Sequence, residues 1–155
     1  MKRIGLLAVV LTVSLVAAAA IRSSMHDRVK PADSIDDLIA RIEKAGSGDK
    51  PFTLLVQFKV KEGKAGKLEK LMKAAEESTH KEPGNVFYSF HRGLEHPEQY
   101  VVYESFASTQ ALRDHVAYKP VQELLAAFGE DLAEPPSISL YSPVVAPKLK
   151  TAGEK

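Results

Sequence analysis

Residues 82–106, EPGNVFYSFHRGLEHPEQYVVYESF, contain two apolar-rich runs, each entered through a break that carries proline or glycine. Glu82-Pro83-Gly84 ends any helix before it: proline cannot continue one, and glycine supplies the positive backbone angles a reversal needs. Asn85 is a natural residue after such a glycine. VFYSFHR then reads as a strand, GLEHPE as a turn and QYVVYESF as a second strand, so the pair is expected to form an antiparallel hairpin.

Working outward, FTLLVQFKV alternates Leu54, Val56, Phe58 and Val60 with Leu55, Gln57 and Lys59, the period of a strand. Between it and the hairpin, Leu68, Leu71, Met72, Ala75 and Thr79 recur at helical spacing. Beyond the hairpin, Ser108 caps a helix bearing Ala111, Leu112 and His115. Pro120 opens another with Val121, Leu124, Leu125 and Phe128, and SISLYSPV supplies a fourth strand. Strand, helix, strand, strand, helical region, strand is the order of an α+β, ferredoxin-like antiparallel sheet with helices on one face. The other strand faces still offer Leu55, Phe87, Val101, Tyr103 and Tyr141. A homodimer packed sheet against sheet is therefore expected.

The segment before Pro51 has a different character. Lys2 and Arg3 precede an apolar run from Ile4 to Ala20, so residues 1–21 read as a signal peptide or a retained membrane anchor. The expected location is exported, periplasmic or extracytoplasmic, with inner-membrane association through residues 4–20 if the leader is kept. Residues 22–50 form a spacer with one short amphipathic helix: Ile35, Leu38, Ile39 and Ile42 share a face, Ser34 and Asp37 cap its start, and Gly46 closes it. That helix is open to packing on the domain, on a partner or on the membrane face, with a stray cap the favoured reading, and GSGDKP reads as a hinge. The main domain spans 51–145, and 146–155 reads as a disordered tail.

Composition removes several function classes. The 21 basic and 20 acidic side chains leave a net charge of +1, too weak a field to expect nucleic acid as a partner. With no cysteine, disulfides and thiolate chemistry are excluded. No His-x-x-x-His, acidic triad or phosphate-cradling glycine loop occurs, so neither a metal nor a nucleotide cofactor is expected.

Taken in order, FTLLVQFKVKEGK, EPGNVFYSFHR and QYVVYESFASTQALRDHVAYKP resemble the antibiotic biosynthesis monooxygenase (ABM) family, with its quinol monooxygenases, over roughly residues 51–145. The resemblance implies dimeric α+β barrels and a range of activities: cofactor-free oxygenation of quinols and phenols, haem degradation, or isomerisation of a phosphorylated sugar. Fold alone does not choose among them. The haem-degrading site is built with a tryptophan, an asparagine and a histidine. Here tryptophan is absent, which counts against haem, although His115 matches the histidine.

His115 is the candidate general base, since it shares a helix face with Ala111 and Leu112 and titrates in the right range for phenol deprotonation. A buried histidine fixed by a carboxylate explains it equally well. Glu104 falls in phase with Tyr100, Val102 and Phe106, where an unpaired carboxylate is costly. Its expected role is to orient His115, and a structural ion pair with Arg92 or Arg113 is the competing reading. Tyr88 matches a family tyrosine and, with Phe58 and Tyr103, makes up the candidate substrate-binding set. His26, His80, His91 and His96 read as structural or exposed. The expected function is a cofactor-independent monooxygenase acting on a small aromatic or quinol-like substrate with dioxygen. The alternatives are a non-catalytic small-ligand-binding or stress-response barrel, a carbonyl isomerase, or a haem-degrading enzyme.

Overall fold

A computed structural model of the chain describes residues 34–148. The leader at 1–21, residues 22–33 of the spacer and residues 149–155 of the tail lie outside these residues. Among the described residues no helix is long and apolar enough to cross a membrane. The elements, in chain order, are α1 (Ile35–Lys44), β1 (Phe52–Lys59), α2 (Ala65–Thr79), β2 (Asn85–Arg92), β3 (Gln99–Phe106), α3 (Thr109–Ala117), α4 (Lys119–Asp131) and β4 (Ser137–Tyr141).

The four strands form one antiparallel sheet in the order β2-β3-β1-β4, the ferredoxin-like arrangement expected from the element order. In a single chain the sheet is open rather than closed into a barrel. Leu54, Glu104, Tyr88 and Leu140 stand in one row across it, because Leu54 pairs with both Glu104 and Leu140, and Glu104 with Tyr88. This row faces the helices. A bulge between Asn85 and Phe87 shifts the register of β2, so Asn85 pairs with Phe106 and turns inward. Its side-chain nitrogen donates to the carbonyls of Phe87 and Ser105, at 3.0 and 3.5 Å.

Packing follows the sequence periodicity. Leu68, Met72, Ala75 and Thr79 of α2, Leu112 of α3, and Val121, Leu124 and Ala127 of α4 are buried against Leu54, Val56, Phe58, Val102 and Phe106 of the sheet. Each fully buried Val, Leu, Met or Phe side chain among these contributes about 1.5–3 kcal/mol relative to exposure. Phe58 packs between the rings of Phe128 and Tyr100, with centroids 4.7 and 5.7 Å away, and so belongs to an aromatic cluster in the core. The reverse face of the sheet exposes Phe87, Tyr103 and Tyr141, with Phe87 and Tyr103 edge to face at 5.3 Å.

Two local expectations change. The first concerns α1. Its capping box forms as read, with Ser34 and Asp37 satisfying each other's backbone N–H groups, and Gly46 adopts φ +80° just beyond it. Yet α1 is a wall of the domain rather than a stray cap: Leu38, Ile39 and Ile42 are buried in the common core. Arg41 donates to the carbonyl of Ile138 at 3.3 Å, and Thr109 Oγ1 to that of Gly48 at 3.0 Å.

The second concerns Gly84. It does not adopt a positive φ; among the described glycines only Gly46 and Gly63 do. Glycine is required there because the 82–84 turn presses on α3. A Cβ at Gly84 would overlap the Ala111 Cβ and approach its Cα to 3.2 Å. Gly84→Ala should therefore destabilise the fold by about 1–3 kcal/mol through overpacking. Urea unfolding would show this as a lower midpoint with an unchanged slope, and an unaltered midpoint would refute the close approach.

Candidate functional site

Between the sheet and helices α1, α3 and α4 lies a cavity of about 590 Å³. Its walls are almost wholly apolar, with Leu54, Val56 and Val102 from the sheet, Leu112 and Val116 from α3, and Leu124 and Phe128 from α4. Apart from the exposed Glu134, its ionisable lining consists of Tyr88, Glu104 and His115, which are buried together. The sheet delivers the first two, since Tyr88 and Glu104 are register partners on neighbouring strands. The third comes from α3, whose start is fixed by Ser108 Oγ accepting from the Ala111 N–H at 3.2 Å.

His115 is 3% exposed and lies between two carboxylates. Its Nδ1 is 3.1 Å from Glu82 Oε2, and its Nε2 is 3.8 Å from Glu104 Oε2. The first is a hydrogen bond; the second is a charge contact without one. Glu82 was read in the sequence as a turn residue, but it is the nearer carboxylate. Ala111 and His115 are one helical turn apart on α3, so the Gly84–Ala111 contact that seats the turn also brings Glu82 to the ring. Thr79 Oγ1 is 3.4 Å from the same Nδ1 while donating to the carbonyl of Ala75 at 2.7 Å.

Neither arginine considered for Glu104 reaches it. Arg92 donates to Glu69 and to the carbonyl of Pro97, and Arg113 pairs with Asp36 at 3.5 Å. Burial therefore dominates the Glu104 carboxyl and pushes it up to about 7, with the charge of His115 opposing the rise and that of Glu82 adding to it. Tyr88 is pushed well above the ordinary phenol range, first by burial and then by the charge of Glu104. Its hydroxyl stays protonated at neutral pH and can donate a hydrogen bond.

Of the residues singled out in the sequence, His115, Glu104 and Tyr88 meet at the cavity. Phe58 does not line it, being held in the aromatic cluster, and Tyr103 lies on the reverse face of the sheet. His80 caps α2, with Nε2 2.9 Å from the carbonyl of Tyr88, while His91 and His96 are exposed. Among the described residues no three His, Asp or Glu side chains converge to hold a metal ion.

Residues 51–127 match the family model described as antibiotic biosynthesis monooxygenase. Solved structures share the fold. One, from Caulobacter crescentus CB15 and carrying that family name, is 25% identical over 66% of this chain and 98% of its own, with a TM-score of 0.60. Another of that name, from Nitrosomonas europaea, is 20% identical over 63% and 92%, with a TM-score of 0.58. A conserved protein of Methanosarcina mazei Go1 is 25% identical over 60% and 92%, with a TM-score of 0.55. None of the curated proteins matches.

The raised carboxyl of Glu104 predicts a pH dependence of stability. The folded state holds this proton more tightly than the unfolded chain, whose glutamate titrates near 4.5. Stability contributed by the protonated form is thus full below about 4.5 and is lost as pH climbs through about 7. Glu104→Gln removes this loss. Relative to wild type it should gain stability between pH 5 and pH 8, on the order of 3 kcal/mol at most. Urea melts at the two pH values check this, and parallel wild-type and variant curves would refute it.

Proposed function

Because the chain belongs to the antibiotic biosynthesis monooxygenase family through residues 51–127, we propose that it is a cofactor-independent monooxygenase of a quinol or a similarly electron-rich aromatic. His115 is the general base, and Glu82 orients it. The observation that carries this reading is the imidazole held between Glu82 and Glu104 at the one polar end of an apolar cavity. A cavity of about 590 Å³ is also of small-molecule size.

The chemistry follows from the two ring nitrogens. Glu82 accepts the Nδ1 proton and leaves the Nε2 lone pair, on the side of Glu104, to take a phenolic proton. Water exclusion by the apolar walls strengthens the attraction between the resulting imidazolium and both carboxyl groups. The phenolate is electron-rich enough to reduce dioxygen, and a C–O bond forms at a ring carbon. His115 returns its proton to the peroxide, and loss of the proton on that ring carbon breaks the O–O bond. One oxygen atom stays as a ring carbonyl and the other leaves as water. All four electrons come from the substrate, so no external reductant enters the balance. Glu104, titrating at about 7, is matched to taking the ring-carbon proton and giving it to the departing hydroxide. Tyr88 donates a hydrogen bond to a substrate oxygen.

A homodimer belongs to the same reading, supported by the apolar reverse face with Phe87, Tyr103 and Tyr141. So does export, supported by the basic and then apolar leader of residues 1–21.

Dioxygen uptake with a panel of reduced quinones tests the assignment. His115→Ala should lower kcat/KM by about 10²–10⁴-fold. Glu82→Gln should lower it by roughly 10²-fold, because an amide can hold the ring in the wrong tautomer. If wild type and His115→Ala consume oxygen at equal rates, His115 is not the base.

A further inference from the structure

The cavity is polar at its floor and apolar at its mouth. His115, Glu104 and Tyr88 are each at most 8% exposed and sit deep. The rim is built from Ile35 of α1 and Leu125 of α4, which are 38% and 48% exposed, and from Pro135 and Pro136 of the connection to β4. That connection is tied down by Ala133 N–H donating to the carbonyl of Lys59 at 2.8 Å and by the bridge between Val60 and Leu132. Glu134 is the one charged side chain among the lining residues besides those of the floor. Ile35, Leu38 and the lining residues from Gly129 to Ile138 lie outside residues 51–127, the span matched by the family model.

Size adds a second constraint. Taking about 30 Å³ of liquid volume per water-sized atom, a 590 Å³ cavity has room for about 20 non-hydrogen atoms. A dihydroxylated benzene ring supplies fewer than half of these. The remaining space is lined by hydrocarbon, and filling it with water would leave that water short of hydrogen-bond partners.

We propose that the substrate is amphiphilic: a phenol or quinol ring seated against His115 and Glu104, carrying an apolar chain that runs outward past Leu38 and over Ile35 and Leu125. This rests on the proposed site chemistry for which end of the ligand goes in. The chain contacts stand independently of turnover. Polar head inward and tail outward is the orientation that satisfies both ends of the cavity. A ligand with a charged or phosphorylated tail is disfavoured, because the rim offers it a carboxylate and no cation among the lining residues.

Anaerobic calorimetric titration of the full chain with 4-alkylphenols of increasing chain length tests the proposal. Affinity should rise about three- to four-fold per added methylene until the chain passes the rim. Leu125→Ser and Ile35→Ser, both at half-exposed positions that tolerate a polar side chain, should flatten this dependence beyond the first few carbons while leaving the affinity of the shortest phenol within about two-fold. His115→Ala should keep the chain-length slope, so loss of turnover and loss of chain binding are read separately. An affinity that stops rising after the first carbons, a slope unchanged in both rim variants, or no binding at all because another part of the chain or a second copy fills the cavity, would each overturn it.

Discussion

The burial of His115 against Glu82 is the contact on which the rest of the site depends. Removing an imidazole and a carboxylate from water is costly unless each finds the other, and a separation of 3.1 Å between groups 3% and 4% exposed meets that condition. The contact crosses three pieces of chain. The end of α2 leads into the Glu82-Pro83-Gly84 turn, and α3 returns over it from the far end of the hairpin. Gly84 lets the turn lie on Ala111 without a side chain between them, so the backbone approach and the His115–Glu82 hydrogen bond one helical turn later are parts of one interface. The hairpin is anchored there too: the Gly84 carbonyl accepts from the Ala107 N–H at 2.9 Å, just past the end of β3.

This interface also explains what could and could not be seen in the sequence. Strand and helix periods were plain, because alternation in β1 and three-four spacing in α2 reflect which side chains face a single core. The parity of Glu104 with Val102 and Phe106 placed it inside, and the position of His115 on the Ala111 face of α3 pointed it toward the sheet. Glu82 was missed because it lies outside any regular element, where neither period applies, and its closeness to His115 is created by a contact between residues far apart in the chain. A signal existed nonetheless. A glycine beside a proline accounts for a turn whatever precedes it, whereas a buried histidine requires a partner that the turn could supply. Tyr103 and Phe58 fail as cavity residues for different reasons: one is on the wrong parity for the helical face, and the other has the right parity but is enclosed by Phe128 and Tyr100.

The role of α1 was hidden for a related reason. Its apolar face, Leu38, Ile39 and Ile42, is evident from spacing, yet spacing does not say what covers such a face. In the fold these residues complete the core, and the GSGDKP segment taken for a hinge is fastened to α3, the Gly48 carbonyl accepting from both the backbone N–H and the hydroxyl of Thr109. The domain therefore begins earlier than the break at Pro51, and the first strand is entered from a packed helix.

The imidazole hydrogen-bonds only one of its two carboxylates. Glu82 holds the hydrogen-bonding position at Nδ1, and Glu104, at 3.8 Å from Nε2, stays outside hydrogen-bond reach of the ring. Burial therefore dominates Glu104, whose carboxyl moves up to about 7 and exchanges its proton in the neutral range. A better partner, such as an arginine at hydrogen-bonding distance, would stabilise the fold and fix this carboxyl in its ionised form. The incomplete pairing that weakens the fold as pH rises is thus the same feature that gives the cavity a group able both to take and to release a proton. Stability and acid–base capacity are opposed at this one side chain, and the apolar lining that makes room for a guest sets the balance between them.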